Sequence, residues 1–129
     1  MDREILIQEE FLDNPWKMLV CCILLNQTNN KQVRPLLKDL FELIPDPLSA
    51  IECDESSLAS LIRTTGFQNV KAQRIKKMSS FWMQGFEKIE DLPGVGKYGK
   101  ESWEIFVNGK TNLEVSDKKL KAYLEAINR

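Results

Sequence analysis

Histidine is absent from the 129 residues, and cysteine occurs only three times. Without imidazole, a zinc site or a histidine-based acid–base mechanism is not expected. Cys21 and Cys22 are adjacent and Cys53 is isolated, so neither a disulfide framework nor a four-cysteine iron–sulfur site within one chain is expected. We therefore expect buried, reduced thiols and no metal or other cofactor.

Long apolar runs are also missing. The longest, residues 18–25, is too short to cross a bilayer. The first ten residues are acidic and lack the pattern of a secretion signal. The hydrophobic fraction of 43% is enough for a real core. We expect one domain over residues 1–129, in an intracellular monomer with no membrane partner.

Neither sign of charge is in excess, because 18 basic and 19 acidic residues give a net charge of −1. The two halves nevertheless differ: residues 1–62 hold five basic and eleven acidic side chains, and residues 63–129 hold thirteen and eight. Residues 63–77 contain five cations and no acid, and residues 118–121 contain a second basic cluster. This pattern is compatible with a surface for a polyanion, but charge alone favours an ordinary solvated helix face.

Period-two alternation is rare in the sequence, whereas apolar residues recur at helical spacing. The chain is therefore predicted to be all-α, a compact helical bundle. Asn14 and Pro15 predict a helix start, and the nearly all-apolar segment that follows is expected to be central and buried. The predicted helices are residues 3–12, 15–25, 31–44, 55–64, 70–83, 97–107 and 118–127.

A tight loop over residues 92–96, Leu-Pro-Gly-Val-Gly, separates two predicted helices. Gly94 and Gly96 permit positive φ and close backbone approach. The helix that begins near Gly96 presents free backbone N–H groups, and Lys97 adds a cation. A DNA phosphate would suit this site, although an ordinary glycine-containing turn is the alternative interpretation.

This loop resembles the hairpin of the helix-hairpin-helix DNA glycosylases, the endonuclease III superfamily. Residues 24–28 (LLNQT), 66–75 (GFQNVKAQRI) and 115–120 (VSDKKL) resemble three further family segments in the same order. Residues 14–17, 94–99 and 102–106 are most similar to the thymine/uracil mismatch glycosylase domain attached to methyl-CpG-binding domains. The resemblance implies a helix-hairpin-helix fold without an iron–sulfur cluster and double-stranded DNA as the partner.

The resemblance implies that Asp117 is catalytic, because a carboxylate stabilises positive charge on the sugar and orients water. Local sequence alone favours a helix cap without chemistry at Asp117, and the two roles are compatible. Tyr98 stands where bifunctional family members have a nucleophilic lysine, so no lyase activity is expected. Its ring is expected to border an extruded base, or alternatively to pack on a neighbouring element.

The remaining site residues are also implied by the resemblance. Gln8 aligns with a glutamine that contacts the flipped base, although it also fits a polar position on a surface helix. Gln27 and Phe67 align with residues that fill the gap and wedge the opposite strand. Phosphate contacts are expected at Lys71, Lys97 and Lys100, together with Gly94 and Gly96 of the hairpin. Hairpin and Asp117 are expected to face one cleft, flanked by the basic residues 63–77.

The expected function is a monofunctional DNA glycosylase in base excision repair that hydrolyses the N-glycosidic bond of a flipped uracil or thymine in G·U or G·T mismatches. Alternatives remain: a non-catalytic helix-hairpin-helix DNA-binding module, a glycosylase with another base specificity, and a purely structural helical domain. Tyr98 argues against a fourth, the bifunctional glycosylase/lyase.

Overall fold

The computed structural model describes residues 4–129, which contain α-helices and short 3-10 turns but no β-strand. Helical segments make up 69% of the structure, which confirms the all-α prediction. The helices are α1 (Pro15–Leu25), α2 (Asn30–Val33), α3 (Leu37–Leu43), α4 (Pro47–Glu52), α5 (Glu55–Leu61), α6 (Gln68–Gln84), α7 (Gly96–Phe106) and α8 (Lys118–Ile127). The 3-10 turns are Ile7–Phe11, Arg34–Leu36, Arg63–Thr65 and Ile89–Asp91.

Most helix starts follow the capping rules. Asn14 accepts a hydrogen bond from the backbone N–H of Lys17 at 3.1 Å, with Pro15 in the first turn, as predicted. Asp54 caps α5 in the same way through the N–H of Ser57 at 2.9 Å. These local signals fix where the helices begin, independently of how the helices pack.

Three segments differ from the prediction. The helix expected over residues 31–44 is divided into α2 and α3, because Pro35 lacks an N–H and blocks a continuous helix. The Pro45–Asp46–Pro47 stop is followed at once by α4, whose cap is Asp46. The helix expected over residues 3–12 is the 3-10 turn Ile7–Phe11, and Arg3 lies outside the described residues.

Helix α1 lies at the centre of the larger hydrophobic cluster, with eight of its eleven residues buried. It packs against α6 and α7, and α4 and α5 also pack on α6. Trp16 Nε1 donates to Ser79 Oγ at 3.0 Å and thereby joins α1 to α6 inside the core. The predicted central position of this helix is confirmed.

A second, smaller cluster joins α7, α8 and the N-terminal segment. Its buried members are Leu6, Ile105, Val115, Leu120 and Leu124. The turn that precedes α8 therefore has an apolar anchor on both sides. Among residues 4–129, every helix is too short or too polar to span a lipid bilayer.

The smaller cluster predicts a measurable contribution to folding. Leu120 is fully buried, so Leu120→Ala removes packed methyl groups and leaves a cavity. We expect the free energy of unfolding, measured by urea titration, to fall by about 2–5 kcal/mol. The exposed neighbour Lys121 is the control, and Lys121→Ala should stay within about 0.5 kcal/mol of wild type. Equal stability of the two variants would contradict this account.

Candidate active site

A cleft of about 630 Å³ opens between the loop after α1, the first turn of α7 and the start of α8. Its walls are residues 25–30, Lys97, Tyr98, Glu101 and residues 116–119. The fold thus brings Gln27, Lys97, Tyr98 and Asp117 together from three segments that are far apart in sequence.

Asp117 is half-buried on the α8 side of the cleft. Its Oδ2 accepts a hydrogen bond from the backbone N–H of Leu120 at 2.9 Å, so the predicted cap is confirmed. Val115 and Leu120 are buried on either side, and the N–H of Ser116 donates to Glu101 Oε2 at 3.1 Å. The carboxylate is therefore held in the cleft wall by both packing and hydrogen bonds.

Tyr98 is half-buried and also lines the cleft. Gln8 Nε2 donates to Tyr98 Oη at 2.6 Å and to Ser102 Oγ at 3.1 Å. With the amide in this orientation, Tyr98 Oη is an acceptor from Gln8, and its own proton is available for another partner. Burial raises the pKa of Tyr98, so the hydroxyl keeps that proton near neutral pH.

Gln8 does not line the cleft, because its side chain is completely buried behind Tyr98. Among the described residues its Oε1 has no hydrogen-bond partner. Ser102, which holds the amide together with Tyr98, is a residue that sequence reasoning missed. The available signal was its spacing: Ser102 follows Tyr98 by four residues and so shares its helix face.

The position of Tyr98 depends on close contact between α7 and α1. A Cβ at Gly99 would lie 2.5 Å from Val95 Cγ1 and 3.6 Å from Cys22 Cβ, so a larger residue does not fit without rearrangement. Burial raises the pKa of Cys22 to about 12, and its thiol is therefore no nucleophile at neutral pH. In residues 4–129 no three His, Cys, Asp or Glu side chains are close enough to hold a metal ion.

The hairpin before α7 requires its two glycines. Gly94 and Gly96 have φ of +80° and +74°, and a Cβ at Gly94 would lie 3.0 Å from that of Arg74. No side chain caps α7 at Val95, so its first N–H groups keep their hydrogen-bonding capacity. The hairpin faces a smaller cavity of about 80 Å³ that shares Lys97 with the main cleft.

Two non-glycine residues in the described part of the chain have positive φ, Gln27 (58°) and Phe67 (49°). Both are exposed, and Phe67 leaves 59% of its surface in contact with solvent. A non-glycine residue held in this region costs on the order of 1–3 kcal/mol. Backbone strain is thus found at the two positions that the family resemblance assigns to the DNA duplex.

The predicted phosphate-binding lysines lie in three different environments. Lys97 is exposed at the cleft and Lys100 is half-buried. Lys71 is buried, and its Nζ donates to the carbonyls of Leu24 at 2.8 Å and Thr65 at 2.7 Å. This placement corrects the prediction for Lys71, because an ammonium enclosed by backbone carbonyls does not face a phosphate in solvent.

The basic stretch 63–77 is therefore not a uniform solvated face. Lys76, like Lys71, ends on backbone: it donates to the carbonyls of Ala50 at 2.8 Å and Ile51 at 2.9 Å, and also to that of Cys53. Arg74 and Lys77 instead line a groove with residues 93 and 94 of the hairpin. Residues 63–77 were expected to flank the cleft. They flank the hairpin instead, and none of them lines the cleft.

A hairpin between two helices lies next to a cleft that carries an aspartate at a helix start, the arrangement expected of a helix-hairpin-helix protein. Residues 20–128 match the HhH-GPD superfamily of base excision DNA repair proteins, and the chain belongs to that family. The family resemblance and the endonuclease III-like fold predicted from the motifs are confirmed.

Several curated proteins are similar to this chain. A methyl-CpG-binding domain protein 4-like protein from Arabidopsis thaliana is 37% identical over 105 residues, 81% of this chain and 24% of that protein. A thymine/uracil-DNA glycosylase from Pyrobaculum aerophilum is 27% identical over 105 residues (75% and 46%), and an endonuclease III from Treponema pallidum is 31% identical over 91 residues (64% and 43%). The chain thus spans from a quarter to less than half the length of these relatives.

The raised pKa of Tyr98 predicts how the protein titrates. In the unfolded chain tyrosine ionises near its ordinary pKa of about 10. Because the folded state holds the Tyr98 proton more tightly, this group leaves the free energy of unfolding unchanged below that pH and lowers it as pH rises further. Phenolate absorbance of wild type minus that of Tyr98→Phe isolates Tyr98 from Tyr123. A Tyr98 transition at or below the ordinary pKa would contradict its burial.

Proposed function

We propose that this chain is a monofunctional DNA glycosylase that removes uracil or thymine from G·U and G·T mismatches. The observation that carries the proposal is the cleft that Asp117 and Tyr98 both line, with a tyrosine where a lyase requires a lysine. Membership in a base excision repair family and the similarity to a thymine/uracil-DNA glycosylase from Pyrobaculum aerophilum support the substrate class.

The proposed step is hydrolysis at the anomeric carbon of the flipped nucleotide. The N-glycosidic bond breaks, its electron pair leaves with the base, and positive charge develops on the sugar. Asp117 stabilises that charge and orients the water whose oxygen bonds to the anomeric carbon. The water proton passes to the carboxylate, and the departing base takes up a proton in turn.

Tyr98 is proposed to donate a hydrogen bond from its hydroxyl to a carbonyl oxygen of the base. Uracil and thymine both present such an acceptor. Gln8 donates to Tyr98 Oη, and Ser102 accepts from the same Gln8 amide. The Tyr98 hydroxyl is therefore an acceptor toward Gln8 and a donor toward the base. Gln8 remains behind Tyr98, and its proposed role is to orient this hydroxyl toward the base.

The duplex is proposed to be held at two places. The N–H groups at the start of α7 bind a phosphate, assisted by Lys97 and Lys100. Gln27 and Phe67 enter the duplex, where Gln27 fills the position of the flipped nucleotide and Phe67 wedges the opposite strand. Both residues are exposed, and Gln27 lines the cleft, which supports this assignment.

The central test is base release by wild type and by Asp117→Asn on labelled duplexes that contain G·U, G·T, A·8-oxoguanine or thymine glycol. Asparagine keeps the α8 cap but loses the charge, so we expect an unchanged fold and a rate lower by on the order of 10²–10³. Alkali after the reaction reveals the abasic sites. Full activity of Asp117→Asn, or DNA binding by wild type without release from any duplex, would overturn the proposal.

The same reactions test the monofunctional assignment. With a tyrosine at position 98, strands should break only after alkali or heat, and borohydride should trap no covalent protein–DNA adduct. A trapped adduct would contradict the assignment and direct attention to the three lysines that line the cleft, Lys97, Lys118 and Lys119.

The phosphate contacts predict a specific salt dependence. Each lysine that neutralises a phosphate contributes about one unit to the slope of log affinity against log salt. The double variant Lys97→Ala, Lys100→Ala should therefore lower that slope by about two units. Lys38→Ala, which removes an exposed lysine of α3, is the matched control and should leave the slope unchanged. Equal slopes for the double variant and wild type would exclude both contacts.

A further inference from the structure

Lys71 connects the two loops that carry the strained residues. Its ammonium donates to the carbonyl of Leu24, in the last turn of α1, and to the carbonyl of Thr65, in the turn before α6. Gln27 follows Leu24 by three residues, and Phe67 follows Thr65 by two. One side chain therefore ties the base of one loop to the base of the other.

The burial of this ammonium is unusual and requires a compensating gain. Only 1% of Lys71 is exposed, and burial, together with nearby Arg74, lowers its pKa to about 8. An apolar side chain of the same length would avoid that penalty, but it would leave two buried carbonyls without a donor. An ammonium has several N–H donors on one atom, so it satisfies carbonyls from two separate segments at once.

The two loops that Lys71 anchors share one backbone feature. Each loop leaves its anchored carbonyl and reaches a non-glycine residue at positive φ within three residues. Such conformations persist only when the surroundings determine them. The Lys71 hydrogen bonds supply a common reference point for both loops, because the two carbonyls are fixed relative to one nitrogen atom.

We propose that Lys71 is a positioning residue that sets the separation of Gln27 and Phe67, so that both side chains enter the duplex at matching places. The inference rests on the proposed function of these two residues in DNA, and it goes beyond it by assigning their spacing to one buried cation. Lys71 touches neither base nor phosphate in this role.

Helix α6 offers a matched control for the test. Lys76 stands on the same helix and also donates to three backbone carbonyls, but these belong to the end of α4, away from both loops. Lys71→Met and Lys76→Met therefore remove comparable hydrogen bonds. Only the first variant frees the loops that carry Gln27 and Phe67.

The measurement is the ratio of affinities for a duplex with a tetrahydrofuran abasic site and for the same duplex intact, at one salt concentration. A preformed gap rewards correctly placed Gln27 and Phe67, whereas contacts with phosphates affect both duplexes alike. We expect Lys71→Met to lower this ratio by about tenfold, the scale of one lost stacking contact, and Lys76→Met to keep it within about twofold. Lys71→Arg, which keeps donors at this place, should restore most of the ratio.

The outcomes separate the inference from the proposed function. An unchanged ratio in Lys71→Met, an equal loss in Lys76→Met, or no preference for the abasic duplex in wild type would overturn it. If Lys71→Met does not fold by circular dichroism, Lys71→Gln, whose amide reaches one carbonyl at most, takes its place with the same expectation. Uracil release by wild type is measured separately, so discrimination without excision would reject the glycosylase and leave the positioning role standing.

Discussion

The end of α1 is the constraint on which the site depends. Helix α1 is buried along most of its length, and its last carbonyls have no intrahelical donor. Lys71 supplies a donor to one of them, and the same nitrogen reaches the turn before α6. The loop that leaves α1 then forms one wall of the cleft, against the first turn of α7 and the start of α8. The hydrogen bond that satisfies the buried Leu24 carbonyl therefore also fixes the start of the loop that lines the cleft.

Charge in the basic half of the chain serves two separate purposes. Lys71 and Lys76 stabilise carbonyls at the ends of two other helices, where partial negative charge accumulates. Lys97 and Lys100 remain accessible near the hairpin. A count of cations cannot distinguish these uses, and the net charge of −1 conceals both. The affinity for DNA proposed here therefore depends on a few lysines beside the hairpin rather than on overall basicity.

Sequence reasoning succeeded where the controlling interactions are local. The caps at Asn14 and Asp117 and the bounds of α8 follow from hydrogen bonds within four residues. Sequence reasoning failed where a partner far away in sequence determines the environment of a side chain. Gln8 reaches Tyr98 across ninety positions, and no local pattern shows that this amide is buried behind the ring.

Lys71 is an intermediate case, because a local signal existed and was not used. The buried residues of α6 are Lys71, Ala72, Ile75, Met78 and Ser79, which form one stripe at helical spacing. A lysine within an apolar stripe has to find buried acceptors or leave the stripe. Spacing could have indicated its burial, but the identity of its acceptors depended on tertiary structure.

The left-handed backbone at Gln27 and Phe67 determines when the conformational entropy of their two loops is lost. Both residues hold an uncommon conformation in the free protein, so the entropy of ordering these loops is lost when the chain folds and not when a ligand arrives. In the DNA interaction proposed here, little rearrangement of these two loops then precedes contact with a base pair. The backbone strain at these two residues is instead present in the native state, where it lowers the free energy of unfolding.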